Sequence, residues 1–386
     1  MIDRDFSTLP DLASRSLGGS VVGANDELFA ERENLIKAES PSYRPYTFGH
    51  RGQVYDGWET RRRREPGYDW AIVRLGVGGI VRGVIVDTAF FTGNYPPEIS
   101  VEGTSVEGYP SPAELQEDAE WVSLVPRSPA QGDTENPFTV DVGQRMTHVR
   151  LCLYPDGGVA RLRVHGEVVP DPRFLGSGDI DLAALANGGA VTGCSNMFYS
   201  SPTNLIFPGQ PRVMGEGWET ARRRDEGNDW VEFRLAGPGR VRMAELDTSY
   251  FVGNAPGWAS LRGRDERDGT VSNDESWRDL LPRTRLQPDT RHLFRIGAAP
   301  EATHIRLDVY PDGGLARVRL HGELSRQGRD ELGLCWFNLL PPTHARQVLV
   351  DECDLKVSEA GKLVESRPLG SLADIPPAVR SALGGW

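Results

Sequence analysis

The feature that most restricts the fold is that the chain is written twice. Residues 57–75, GWETRRRREPGYDWAIVRL, return as GWETARRRDEGNDWVEFRL at 217–235, an offset of 160. VDTAFFTGNYP (86–96) returns as LDTSYFVGNAP (246–256) at the same offset. THVRLCLYPDGGVARLRVHGE (147–167) returns as THIRLDVYPDGGLARVRLHGE (303–323) at an offset of 156, as do Trp121 with LVPR (124–127) and Trp277 with LLPR (280–283). Upstream, Gly23, NLI (34–36) and Pro41 match Gly193, NLI (204–206) and Pro211 at an offset of 170. The offset changes within 42–56 and 98–120, so both stretches read as surface loops, where insertions are tolerated. A unit of about 150–160 residues is too long for a solenoid repeat and long enough for a domain. Two similar domains are expected, at 15–170 and 180–325, with a linker over 171–189 and a short helix at Ile180–Ala186.

Each unit reads as all-β. In HVRLCLY–PDGG–VARLRVHG, Val149, Leu151 and Leu153 alternate with His148, Arg150, Cys152 and Tyr154. After the turn, Leu162 and Val164 alternate with Arg161, Arg163 and His165. Period-two alternation marks half-buried strands, and Pro-Asp-Gly-Gly supplies residues that tolerate a tight turn. Further strands are expected at 70–75, 81–91 and 97–103, broken by Gly-Val-Gly-Gly and Gly-Asn-Tyr-Pro. With 44 Gly and 28 Pro, about 19% of the chain, turns are plentiful and long helices are disfavoured. The expected fold is two tandem jelly-roll β-sandwiches, followed by a short helical segment at 331–386.

Composition excludes several classes. No apolar run approaches the roughly 18 residues of a membrane span, and MIDRDFSTLPDLASRS has no basic start and apolar stretch of a secretory signal. The cytoplasm is therefore the expected location. With 43 Lys and Arg against 55 Asp and Glu, the net charge of −12 argues against nucleic acid as a partner. Three of the basic residues are Lys and forty are Arg. Base composition can produce such a bias, though Arg is also the better fork for a carboxylate. Cys152, Cys194, Cys335 and Cys353 form no CxxC pair or Cys/His cluster and read as reduced structural thiols.

GWETRRRR…DW, VDTAFFTGNYP and VRLCLYPDGGVARLRVHGE, with their second copies, resemble the repeated motifs of the allantoicase family over roughly residues 15–325. The resemblance implies two jelly rolls of the galactose-binding-like type. It also implies hydrolysis of allantoate to ureidoglycolate and urea in purine breakdown. A second resemblance covers 336–386. WFNLLPPTHARQVLVDECDL and LVESRPLGSLADIPPAVRSALGGW are similar to the opening of a 2-oxo-4-hydroxy-4-carboxy-5-ureidoimidazoline decarboxylase domain. That family's catalytic His-Pro motif lies further on than Trp386, so a truncated or vestigial helical appendix without decarboxylase activity is expected, unless the segment is an unrelated helical tail.

Allantoate is an anion with two ureido arms on one tetrahedral carbon. Its hydrolysis needs a grip on the carboxylate, which Arg provides bidentately, and groups that orient the ureido arms. It also needs an acid for the departing urea and a base for water. The polar residues kept in both copies are the candidates. Glu59 and Glu219 of GWET suit a base or a ureido-binding group, or else a surface ion pair with their Arg neighbours. Asp87 and Asp247, at the end of a strand, suit an acceptor of ureido N–H bonds, a base or a turn cap. His165 and His321 are candidate proton shuttles. Arg62, Arg63, Arg222 and Arg223, with Arg161 and Arg317, are candidate carboxylate ligands. Asn94 and Asn254 are candidates for ureido contact or for positive-φ turn positions. Trp58, Trp218, Trp70 and Trp230 read as core, and His148 and His304 as structural. No cofactor is expected. A divalent metal is left open, since no local ligand spacing argues for one.

The competing class is a non-catalytic tandem jelly-roll module that binds a ureide or carbohydrate. A third reading is a scaffold joined to a partner through the C-terminal segment. Which copy works, and whether the chain forms a homo-oligomer, are not fixed by the sequence.

Overall fold

The computed structural model describes residues 6–175, 178–268, 276–371 and 375–384. The chain forms two compact units, one running to Val169 and including Leu339–Glu365, the other comprising Pro170–Asn338 and the chain from Ser366. Among the described residues, no helix is long and apolar enough to cross a membrane.

The first unit is built from strands β1 (Ser20–Ala24), β2 (Asp69–Asp87), β3 (Glu98–Thr104), β4 (Val122–Pro129), β5 (Glu135–Thr139), β6 (Arg145–Tyr154) and β7 (Arg161–Val168). One layer runs β1-β2-β6-β3-β4, while β5 and β7 flank the far half of β2. β2 is therefore one strand of 19 residues serving both layers of a sandwich. The expected break at Gly-Val-Gly-Gly is a bend instead. The pairing of β2 with β6 slips between Arg74 and Gly79. A Cβ at Gly76 would lie 2.5 Å from the Leu17 carbonyl oxygen, and one at Gly79 would lie 2.3 Å from that of Glu167. Glycine here lets neighbouring backbone close on the bend without ending the strand.

The second unit repeats the plan with β8 (Ala190–Cys194), β9 (Asp229–Asp247), β10 (Trp258–Arg264), β11 (Arg278–Arg285), β12 (Arg291–Arg295), β13 (Ala302–Tyr310) and β14 (Arg317–Leu324). The order β9-β13-β10-β11, with β8, β12 and β14 also on β9, matches the first unit. The linker helix expected at Ile180–Ala186 is not formed. Ile180–Asp181 pairs as a strand with Gly322 and His321, and only a 3-10 turn follows at Leu185–Asn187, stopped by left-handed Gly188 (φ 97°).

Trp58 and Trp218 are fully buried, and each indole N–H donates to a main-chain carbonyl, of Asp26 and Asn196, at 2.8 Å. Trp70 and Trp230 are only half-buried, contrary to a core reading, and the Arg306 guanidinium lies 4.3 Å over the Trp230 ring. A short helix, α1 (Pro112–Glu117), fills the β3–β4 loop and starts on a Ser111/Glu114 capping box. The C-terminal segment is helical: α2 (Arg326–Leu339), α3 (Pro342–Asp351), α4 (Val357–Glu365) and α5 (Pro377–Gly384). Within the second unit, Trp336 and Phe337 of α2 are buried, and the Arg173 guanidinium lies 4.7 Å over the Trp336 ring. Within the first, buried His344 of α3 shares a 3.0 Å hydrogen bond with Ser105.

Candidate active site

Glu59 occupies a two-residue strand, Trp58–Glu59, paired with Gly158–Val159. Adjacent strand residues face opposite sides, so Trp58 in the core directs Glu59 away from it. The Glu59 carbonyl also accepts the Phe29 and Ala30 N–H groups, both at 3.2 Å. The side chain is nevertheless 8% exposed. Its Oε1 accepts a 2.7 Å hydrogen bond from Asn94 Nδ2, and its buried Oε2 has no partner among the described residues. Burial pushes the carboxyl above its usual range, and the Asn94 bond offsets only part of this. Glu59 is thus a buried carboxylate with one oxygen held and one free, rather than a surface ion pair. Asn94 is outside the positive-φ region and acts through its side chain.

The pair recurs in the second unit, where Asn254 Nδ2 donates to Glu219 Oε1 at 2.7 Å. The surroundings differ. Fifteen residues, 42–56, separate Pro41 from Gly57, whereas five, 212–216, span the matching gap. The extra chain carries a small hairpin, Phe48–Gly49 with Gly52–Gln53, and walls a cavity of about 360 Å³. Ala30, Asn34, Lys37, Arg44, His50 and Tyr55 are among its lining residues. Tyr55 stacks on Phe91 at 5.4 Å, and Tyr43 stacks on Phe90 at 5.6 Å. The Tyr55 hydroxyl is pushed up by burial, then by the Glu59 charge and by Tyr43. Ala30, in the cavity wall, forms an antiparallel bridge with Glu59 and so joins the cavity to the Glu59 strand. Phe90 and its counterpart Tyr250 adopt left-handed backbone, φ 68° and 69°, costly for a bulky residue. Asp133 and Asp289 hold them there by accepting their N–H groups at 2.7 and 2.8 Å.

The other candidates divide into framework and surface. Asp87 accepts the Ala89 N–H at 2.8 Å; Asp247 accepts the Ser249 N–H at 2.8 Å and its hydroxyl at 2.6 Å. Both cap the turn after the long strand; burial raises Asp87, and Asp247 Oδ2 has no partner among the described residues. Arg161 and Arg317 are not available as carboxylate ligands. Each is buried and donates to main-chain carbonyls, Arg161 to Glu39 and Asp56 and Arg317 to Gly209 and Glu216. Arg161 also holds Asp56 Oδ2 at 2.9 Å. Burial raises the Asp56 carboxyl, but the Arg161 bond, the Ser42 N–H and Lys37 outweigh it and bring it down to about 2.

Arg63 and Arg223 are bound to buried Asp69 and Asp229 at 2.6 and 2.9 Å. Arg62 and Arg222 are exposed, with no hydrogen bond among the described residues. The histidines stand apart. His165 pairs with Gly83 of β2, and its Nδ1 meets the Leu9 carbonyl at 2.8 Å. It lies four residues along β7 from Arg161, roughly 13 Å. His321 likewise sits between Asp181 and Met243. Neither joins the Glu–Asn pair. His148 is buried and neutral, brought to about 4 by burial and then Arg74. Among the described residues, no group of three His, Cys, Asp or Glu is placed to hold a metal.

Sequence reasoning passed over Tyr55, Arg44 and His50, which lie in the stretch read as an insertion. The one signal for them was the drop in offset from 170 to 160.

Comparison with known proteins bears on this geometry. A family model described as the allantoicase repeat matches residues 10–169 and 180–325. A probable allantoicase of Nocardia farcinica is 61% identical over 323 residues, 83% of this chain and 96% of that protein. An allantoicase of Dictyostelium discoideum is 40% identical over 82% of this chain and 88% of its own length. The crystal structure of allantoicase from Saccharomyces cerevisiae, 34% identical, aligns with a TM-score of 0.69 over 82% of this chain and 93% of that one.

Proposed function

The chain belongs to the allantoicase family, and from that premise we infer that it hydrolyses allantoate to ureidoglycolate and urea in purine degradation. The ligand is a small anionic ureide. Glu59 is the base: its free Oε2 takes a proton from water as the water oxygen displaces one ureido nitrogen at the central carbon, the C–O bond forming while the C–N bond breaks and its electron pair leaves on the urea nitrogen. The proton then passes to the nitrogen of the departing urea, so one carboxylate acts first as base and then as acid. A carboxyl raised by burial suits both halves of that exchange. Asn94 fixes the other oxygen and so orients Glu59. The observation that supports this site is the buried Glu59 Oε2 without a partner in a Glu–Asn pair that recurs in both copies, since an orphaned buried carboxylate oxygen costs stability that a ligand donor at that atom restores.

The test is urea release from allantoate by the purified full chain, with a chelator and with added divalent metal. Release in either condition supports the assignment. Its absence in both, with allantoate still bound, supports a non-catalytic binding module instead. We further read 336–386 as related to the opening helices of the ureidoimidazoline decarboxylase, on its FN-x-LP pattern. No decarboxylation is assigned to it; carbon dioxide release from that ureidoimidazoline would overturn this.

A further inference from the structure

We propose that the two copies have divided their roles: only the first is a working site, and the 42–56 insertion equips it, with Arg44 binding the substrate carboxylate and Tyr55 donating to a ureido carbonyl. This rests on the reading of Glu59 as the base and names what else the substrate touches.

Three differences between the copies carry it. The first is enclosure. Glu59 is buried with an orphaned Oε2, and its bridge partner Ala30 lines the cavity together with Tyr55, whereas Glu219 is half-buried, and the Met214 sulfur meets Asn254 at 3.3 Å in the short connection. The second is charge. Lys37, Arg44, His50 and Arg51 line the first copy's cavity with Glu31 and Asp56. Lys37 is held by Asp56 at 3.1 Å, and Arg51 donates to the Glu27 carbonyl, but Arg44 has no hydrogen-bond or ion-pair partner among the described residues. In the second copy Phe207 replaces Lys37, and Arg212 is bound to Glu216 at 2.6 Å. No counterpart of Arg44 exists, because its segment is missing. The third is the tyrosine. Tyr55 lines the cavity with its ring stacked on Phe91 at 5.4 Å, and its phenol is a hydrogen-bond donor. A free guanidinium, a fixed phenol and a free carboxylate oxygen match the carboxylate, ureido carbonyl and reacting centre of allantoate.

The experiment measures urea release and binding in the full chain. Arg44→Ala is expected to raise KM for allantoate about tenfold or more with kcat nearly kept, the loss of one charge-assisted contact. Arg44→Lys should recover part of it. Tyr55→Phe should lower kcat/KM several-fold, and Glu219→Gln should leave both constants unchanged. Binding of allantoate to Glu59→Gln protein, followed by calorimetry, gives a readout without turnover, and adding Arg44→Ala should weaken it by a similar factor. Unchanged KM in Arg44→Ala, or a Glu219→Gln loss equal to that of Glu59→Gln, overturns the division of roles while leaving the reaction intact. No urea release from the unaltered chain would instead overturn the reaction itself.

Discussion

Glu59→Gln separates catalysis from stability at one atom. The amide keeps the side chain's shape and an Oε1 that can still accept the 2.7 Å bond from Asn94, so the loop carrying Asn94 is not disturbed. What is lost is the anion at Oε2. A positioned general base contributes about 10²–10⁴ in rate, equivalent to roughly 2.7–5.5 kcal/mol of barrier. Turnover should therefore fall at least a hundredfold, with KM little changed. Stability should move the other way. The folded-state pKa of Glu59 lies above its ordinary 4.5, so the folded chain holds that proton more tightly than the unfolded chain does. Ionisation then opposes folding, beginning as pH rises past 4.5 and reaching full size above the raised value. Gln removes that opposition at pH 7, so the variant should melt at a higher temperature there than the wild type. The gain should vanish near pH 4, where the wild-type carboxyl is already protonated. The assays are steady-state urea release and thermal melts at both pH values. Turnover within about threefold of wild type, or a lower Tm at pH 7, would refute the reasoning.

Other perturbations follow from the same contacts. Asn94→Ala leaves both Glu59 oxygens without a donor, so Glu59 should titrate still higher and the acid limb of the kcat/KM profile should move to higher pH; an unmoved limb would remove Glu59 from that limb. Asp56→Asn takes the counterion from buried Arg161 and should lower stability by about 1–2 kcal/mol in urea denaturation, discounted because Asp56 is partly exposed. The Asp56 carboxyl is depressed from 3.8 to about 2, so its contribution is complete above pH 3.8 and is lost only as pH falls through about 2. His165→Gln should leave urea release within about twofold, since the ring is committed to the Leu9 carbonyl; a large kcat loss would return His165 to the mechanism.

Much of the architecture could be read from the chain because strands advertise themselves locally. The alternation around Leu151 and Leu162 marks the strands by its period of two, although the polar side is not wet: His148, Cys152 and Arg161 are buried as well. The bend at Gly76–Gly79 could not be read the same way, because whether glycine ends a strand or bends it depends on what approaches, here the Leu17 and Glu167 carbonyls. Site residues split along similar lines. Glu59 and Asn94 were visible because both copies keep them. Arg161 was visible for the same reason and misread, since a buried guanidinium bound to carbonyls 105 and 122 residues away looks identical in sequence to one awaiting a ligand. The 42–56 insertion offered no second copy to compare, so its cavity emerged only with the fold.

The C-terminal helices have a consequence for how the protein fails. Trp336 and Phe337 belong to the second unit, Ala345, Val348 and Leu349 to the first, and the chain from Ser366 to the second again. One short stretch of chain thus supplies apolar side chains to two hydrophobic interiors in turn. A protease nick or an early stop codon near residue 331 would not trim an ornament. It would take buried apolar side chains away from both units, so the truncated chain should aggregate more readily than the full one.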